Sequence, residues 1–152
     1  MRQIITKIKI KAPKEIVWKE FTDTTDYPNW NPFIKKVWGN LKKGSFWELV
    51  YIAGPVYLPL PMKVDDKTPN KQISWSGNVP WILAIFSFGQ HIFTIEELSK
   101  SEVVFSHRCI LSGLFMDIGL NFAFIKQPLI KIQNQMLKEL KGISELAYQN
   151  TH

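Results

Sequence analysis

The chain has 152 residues, 45% of them apolar and 13% aromatic, which is enough to bury a core as one domain over 1–152 and too rich in large side chains for a disordered polymer. Lysine and arginine exceed aspartate and glutamate by six, but only Arg2 and Arg108 are arginine and the lysines are scattered; the basic footprint of a nucleic-acid-binding protein is missing, while weak contact with an anionic membrane surface stays open. Cys109 is the single cysteine, the N-terminal residues lack the apolar stretch of a secretory signal, and the longest apolar run, Val79 to Phe88, is half of the roughly 20 residues a spanning helix needs, so a cytoplasmic chain without integral membrane association is expected.

Along residues 3–11, Ile4, Thr6, Ile8 and Ile10 alternate with Lys7, Lys9 and Lys11, the period of a half-buried strand. Pro13 then suits a first helical turn, Glu15 the positive end of the helix dipole, and Val17 with Phe21 forms an apolar pair on one face of a helix of two to three turns. Tyr27-Pro28-Asn29-Trp30-Asn31-Pro32-Phe33 follows as a stiff junction. Its prolines fix φ and push the residues before them toward extended backbone, and three rings are aimed at their surroundings.

Short candidate strands come next at 34–39, 45–52 after the Lys43-Gly44 turn, 58–65, 71–77 and 85–97, which read as an antiparallel meander. Prolines 55, 59 and 61 require that the third of these strands lie at an edge or begin late, so the Gly54–Pro61 segment reads as an apolar flap. Leu98 to Ser101 forms a polar turn into the last strand, which carries Phe105, His107, Cys109 and Leu111 on one face. From about residue 124 the period changes to 3.6, with Ile125, Leu129, Ile132, Met136, Leu140, Ile143 and Ala147 on one side and Gln127, Lys131, Asn134, Lys138 and Glu145 opposite; a long amphipathic helix is predicted. Pro128 belongs to its first turn or kinks it, and Gly142 loosens its last turns. Burying both patterns calls for an α+β fold in which an antiparallel sheet wraps one long helix.

Ala12-Pro13 opening the first helix, the Tyr27-to-Phe33 junction, Gln90-His91-x-Phe93, His107 ahead of Gly113 and the terminal helix occur in an order that resembles the START-like (SRPBCC) superfamily, in particular its bacterial branch of polyketide cyclases and lipid-transport proteins. The resemblance covers nearly the whole chain. It implies a helix-grip fold, with a short helix pair after the first strand and a curved sheet and long helix enclosing an apolar cavity. It does not imply one chemistry, since such proteins bind, carry, cyclise or hydrolyse different compounds, and some act as co-chaperones.

Strand alternation places His91 beside Phe93 and His107 beside Phe105 and Cys109, all facing inward. A three-residue loop at Leu98–Lys100 sets His91 opposite His107. The two are core histidines or ligand-orienting, acid–base groups. With Cys109 they offer zinc-type donors, but no fourth ligand and no metal motif is evident, and a buried thiol is the alternative. Asp117, in an apolar stretch, is either a carboxyl poised to donate a proton or a turn cap.

No nucleophile elbow, phosphate loop or nucleophile–histidine set is present, so covalent catalysis is disfavoured and no cofactor is called for. Trp47, Leu49, Tyr51 and Trp75 share strand faces suited to lining a pocket, with Trp81, Phe115 and Met116 near its mouth; each is otherwise simple core. The expected function is binding or transport of a hydrophobic small molecule: a lipid, isoprenoid or polyketide-like compound. The alternatives are a cyclase or dehydratase moving protons with His91, His107 and Asp117, and a partner-binding module with a filled core and an exposed apolar patch.

Overall fold

The computed structural model describes residues 2–53, 56–77, 88–112 and 122–151; for 46–53, 56–60, 88 and 122–125 it describes the backbone alone. Strand β1 (Arg2–Ile10) leads into helix α1 (Lys14–Thr22) and a one-turn helix α2 (Tyr27–Trp30). Then come β2 (Ile34–Gly39), β3 (Phe46–Ala53), β4 (Val56–Thr68), β5 (Gln72–Gly77), β6 (Phe88–Ser99), β7 (Glu102–Ser112) and a long helix α3 (Phe122–Gln149). The strands form one seven-stranded antiparallel sheet in the order β1-β7-β6-β5-β4-β3-β2. Only β1 departs from a meander: the two short helices carry the chain from one sheet edge to the other, and β7 returns to pair with β1. With α3 packed against β1 and α1, this is the helix-grip α+β arrangement.

β1 follows its alternation, burying Ile4, Thr6 and Ile10 and exposing Lys7 and Lys9. Pro13 stands one residue ahead of the expected first turn, as an extended N-cap whose carbonyl accepts the amides of Ile16 and Val17. Val17 and Phe21 are buried as the i,i+4 pair requires. In the junction, Pro28 occupies the first turn of α2, where the lost N–H matters least, and Asn31, ahead of Pro32, is extended. Tyr27 and Trp30 are buried, and the Tyr27 hydroxyl donates to the Phe21 carbonyl at 2.7 Å. Asn31 is the stitch into β2: its buried side-chain oxygen accepts the backbone N–H of Phe33 at 3.0 Å and of Ile34 at 2.9 Å.

Gly44 takes φ +80° in the turn between β2 and β3, a region where a side chain is strained. The proline-bearing strand β4 neither lies at an edge nor begins late, the two alternatives its prolines suggest. It starts at Val56 and lies between β3 and β5, but Val56–Pro61 pairs only with β3 among the described residues, and pairing to β5 begins at Met62. Among the described residues, Pro59 and Pro61 thus fall on the part of β4 that pairs with β3 alone, where a missing N–H is tolerated as it would be at an edge. Of the expected flap, Gly54 and Pro55 lie outside the described residues.

The β6–β7 register also differs from expectation. The strands close around Lys100–Ser101 with an irregularity between Glu97 and Ser99, so His91 pairs with Cys109 and Phe93 with His107. The tighter turn slides the partner by two positions, and a two-residue slide keeps every side chain on its expected face.

Helix α3 buries Met136 and Leu140 as predicted, but its buried stripe also takes in Gln133, Leu137 and Ser144. Glu145, expected on the solvent side, is half-buried and accepts the Lys11 amide at 2.7 Å, tying the helix to the end of β1. Pro128 lies inside the helix, beyond the first turn. Gly142 neither ends nor interrupts it, and a Cβ there would meet open space. Gly142→Ala should therefore stabilise the protein by about 0.5–1 kcal/mol through the unfolded chain's lost freedom, read as a higher denaturant midpoint at unchanged slope.

Candidate functional site

Between the sheet and α3 lies a cavity of about 350 Å³, within the size range of small-molecule pockets. Its sheet side is made by Trp75, Gly77, Gly89, His91, Phe93, His107, Cys109 and Leu111, its helix side by Leu129, Ile132, Gln133 and Met136, and the remainder by Phe33, Ile34, Pro61 and Met62. Phe33 is the third ring of the proline junction. The stiff junction therefore supplies two rings to the core and one to the cavity.

The polar groups in this apolar wall are contiguous. Nδ1 of His91 lies 3.0 Å from Nε2 of His107, which the two-residue register slide makes possible by setting the rings diagonally, with centroids 5.2 Å apart. Phe93, directly across from His107, stacks on it at 4.2 Å. On the other side of His107, β1 places Thr6, whose hydroxyl donates to Oε1 of the buried Gln133 at 3.1 Å. This bond leaves the Gln133 amide nitrogen to donate elsewhere. The lining residues His91, His107 and Gln133 thus form a polar strip, with Thr6 joining its sheet part to the helix.

Burial in apolar surroundings lowers the His91 pKa to about 4, and His107 is held well below the ordinary histidine value by burial and by the neighbouring His91. Both rings are neutral at physiological pH. Nδ1 of His107 is buried with no hydrogen-bond partner among the described residues. The Cys109 thiol is pushed up to about 12 by burial, which makes it an apolar lining group and a poor nucleophile. Among the described residues, no group of three His, Cys, Asp or Glu side chains is placed to hold a metal ion.

Of the residues singled out in the sequence, Trp75, His91, Phe93 and His107 line the cavity together. Phe105 does not: it is fully buried against Phe21 at 5.0 Å between centroids and belongs to the solid core beneath. Trp47, Leu49 and Tyr51 lie on β3, but their side chains fall outside the described residues, as do Trp81, Phe115, Met116 and Asp117 altogether. Sequence reasoning missed Gln133, because a polar residue beside an apolar helical stripe reads as solvent-facing; its one visible signal was its place beside Ile132 and four residues after Leu129.

No family model and no curated protein matches the chain. Solved structures do match over nearly its whole length. A START superfamily protein from Mycobacterium smegmatis is 18% identical, with 95% of this chain and 98% of that one covered and a TM-score of 0.77. The Zhui aromatase/cyclase from Streptomyces sp. R1128 is 16% identical over 95% of this chain and 93% of that one, with a TM-score of 0.71. Norcoclaurine synthase from Thalictrum flavum, solved in complex with dopamine and hydroxybenzaldehyde, is 12% identical over 93% and 85%, with a TM-score of 0.68.

Proposed function

We propose that this chain, which has the START-like helix-grip fold, binds or carries a hydrophobic small molecule in the space between its sheet and its long helix. The observation that supports the reading most is the cavity of about 350 Å³ whose wall is aromatic and aliphatic apart from one polar strip. A lipid, isoprenoid or polyketide-like body would replace water there, and the strip would fix its orientation. No described helix is long and apolar enough to cross a membrane, in keeping with a carrier that holds its cargo internally. The partner-binding alternative needs an exposed apolar patch. Among the described residues, the exposed large apolar side chains Ile5, Trp38, Leu98 and Leu146 are spread over β1, β2, β6 and α3.

A second reading has one specific observation in its favour. The direct contact of two neutral histidines inside the cavity is a device for moving protons on a bound carbonyl compound, as a cyclase or dehydratase would. Asp117, its third candidate, lies outside the described residues.

Melting the protein against fatty acids, isoprenoids and flat aromatic polyketides tests the first reading. A ligand at a hundredfold excess over Kd adds about 2.7 kcal/mol, which at roughly 2–4 °C per kcal/mol for a domain of this size raises the midpoint by about 5–10 °C. If no compound moves the midpoint, the carrier reading fails. Product formed from a polyketide probe and lost in His91→Gln would instead favour the enzyme.

A further inference from the structure

Two neutral imidazoles joined by one hydrogen bond have few choices. Each ring carries one N–H, and of the facing pair, Nδ1 of His91 and Nε2 of His107 at 3.0 Å, one must donate and the other accept. If Nδ1 of His91 donates, its Nε2 is bare, Nε2 of His107 is bare, and His107 must hold its proton on Nδ1. If Nε2 of His107 donates, both rings hold their protons on Nε2. The rings therefore share one tautomer at any moment, and a change in one requires a change in the other.

What ordinarily fixes a histidine tautomer is a partner on the far nitrogen. Here the far nitrogen of His107, Nδ1, is buried with no hydrogen-bond partner among the described residues, so no partner at that end fixes the tautomer. The other end is Nε2 of His91, which lies beside Gly89, itself a lining residue. A Cβ at Gly89 would sit 3.4 Å from that nitrogen; the glycine puts no side chain on that side of it. No lysine or arginine is among the described lining residues, and a buried carboxylate with no counter-ion is strongly disfavoured.

We propose that the His91–His107 pair is a polarity-adaptive tether, whose two rings switch tautomer together so that Nε2 of His91 donates to a carbonyl or accepts from an O–H or N–H of a neutral, otherwise apolar ligand. The tether rests on the cavity being a ligand site, and it narrows the ligand class to uncharged compounds with a single polar function set at the histidine end. The ligand selects between two arrangements that already exist in the free protein.

The test uses four compounds of similar shape: naphthalene, 2-acetylnaphthalene as acceptor, indole as donor and 2-naphthoate as anion. Histidine-labelled protein is followed by ¹⁵N NMR at pH 7.5 with each, and affinities are measured alongside. 2-Acetylnaphthalene should move both rings to the Nε2–H form, indole should move both to the Nδ1–H form, and naphthalene should leave the free-state pattern. The ketone should bind about tenfold tighter than naphthalene, the gain of one buried hydrogen bond, and 2-naphthoate no tighter than naphthalene. Gly89→Val, which covers Nε2 without altering either histidine, should bring the ketone-to-naphthalene affinity ratio down to about one; the ratio is taken within the variant, so a change in cavity size acts on both compounds. Should that variant fail to fold, His91→Phe serves in its place with the same control. Rings that hold opposite tautomers, tautomers that ignore the ligand, equal affinity for ketone and naphthalene, or tightest binding of the anion would each overturn the tether while leaving the cavity a binding site. Failure of all four to bind would overturn the cavity reading with it.

Discussion

Phe21→Ala should lower stability by about 3–5 kcal/mol, the range for removing a fully buried phenylalanine from a packed core. Phe21 is 1% exposed and holds the fold's parts together: its ring lies 4.7 Å from Phe93, 5.0 Å from Phe105 and 6.0 Å from Trp75, all on the sheet, and 6.5 Å from Tyr27 in α2. Its carbonyl also receives the Tyr27 hydroxyl. Four rings would face the void, and two of them, Phe93 and Trp75, also line the cavity. The loss should appear as a fall in melting temperature of roughly 2–4 °C per kcal/mol. Phe21→Leu should cost less than half as much, because it leaves a smaller hole. Near-equal losses for the two variants would show that specific ring contacts, rather than volume, hold this core.

Mild acid should destabilise the protein well above the pH at which carboxylates titrate. His91 has a folded pKa of about 4, and that of His107 is well below the ordinary value, whereas in the unfolded chain both titrate near 6.5. Above pH 6.5 both states are neutral and the histidines contribute no pH dependence. Below it the unfolded chain binds protons that the folded protein refuses, so stability falls with pH by up to about 1.4 kcal/mol per unit for each histidine, until the folded rings protonate. For His91 that point is near pH 4. For His91 the loss between pH 7.5 and 5 is of the order of 2 kcal/mol, with His107 adding to it in the same direction, and it is measurable as a drop in urea midpoint. A His91→Gln, His107→Gln double variant should show a flat profile across the same range. An equally steep fall in that variant would place the acid sensitivity elsewhere.

The local elements were legible in the sequence because their signals are local. The β1 alternation needs only neighbouring residues, and so do the Val17–Phe21 pair and the 3.6-residue stripe of the terminal helix. Features that depend on distant residues were less readable. Nothing near β1 announces that it pairs with β7, or that Thr6 thereby stands beside His107 and meets Gln133, 127 positions away. Parity alone puts both histidines on one inward face, but alternation gives a register two residues from the observed one because an irregularity at Glu97–Ser99 is invisible to it. That offset decides the chemistry: rings directly opposite and rings set diagonally make different contacts. Phe105 was assigned to the cavity by the same parity that assigned Phe93; depth along the strand, which periodicity does not encode, separates them.

Whether ligands occupy the space between the sheet and α3 is tested most directly by Ile132→Trp. Ile132 is half-buried and lines the helix side of the cavity, so an indole there would fill ligand space while leaving the sheet core untouched. The measurement is the melting shift given by 2-acetylnaphthalene at a hundredfold excess over its Kd for the unaltered protein. The variant should fold and melt cooperatively but lose most of the shift of about 5–10 °C that its parent shows. A folded Ile132→Trp protein with an undiminished shift would mean that the ligand binds elsewhere.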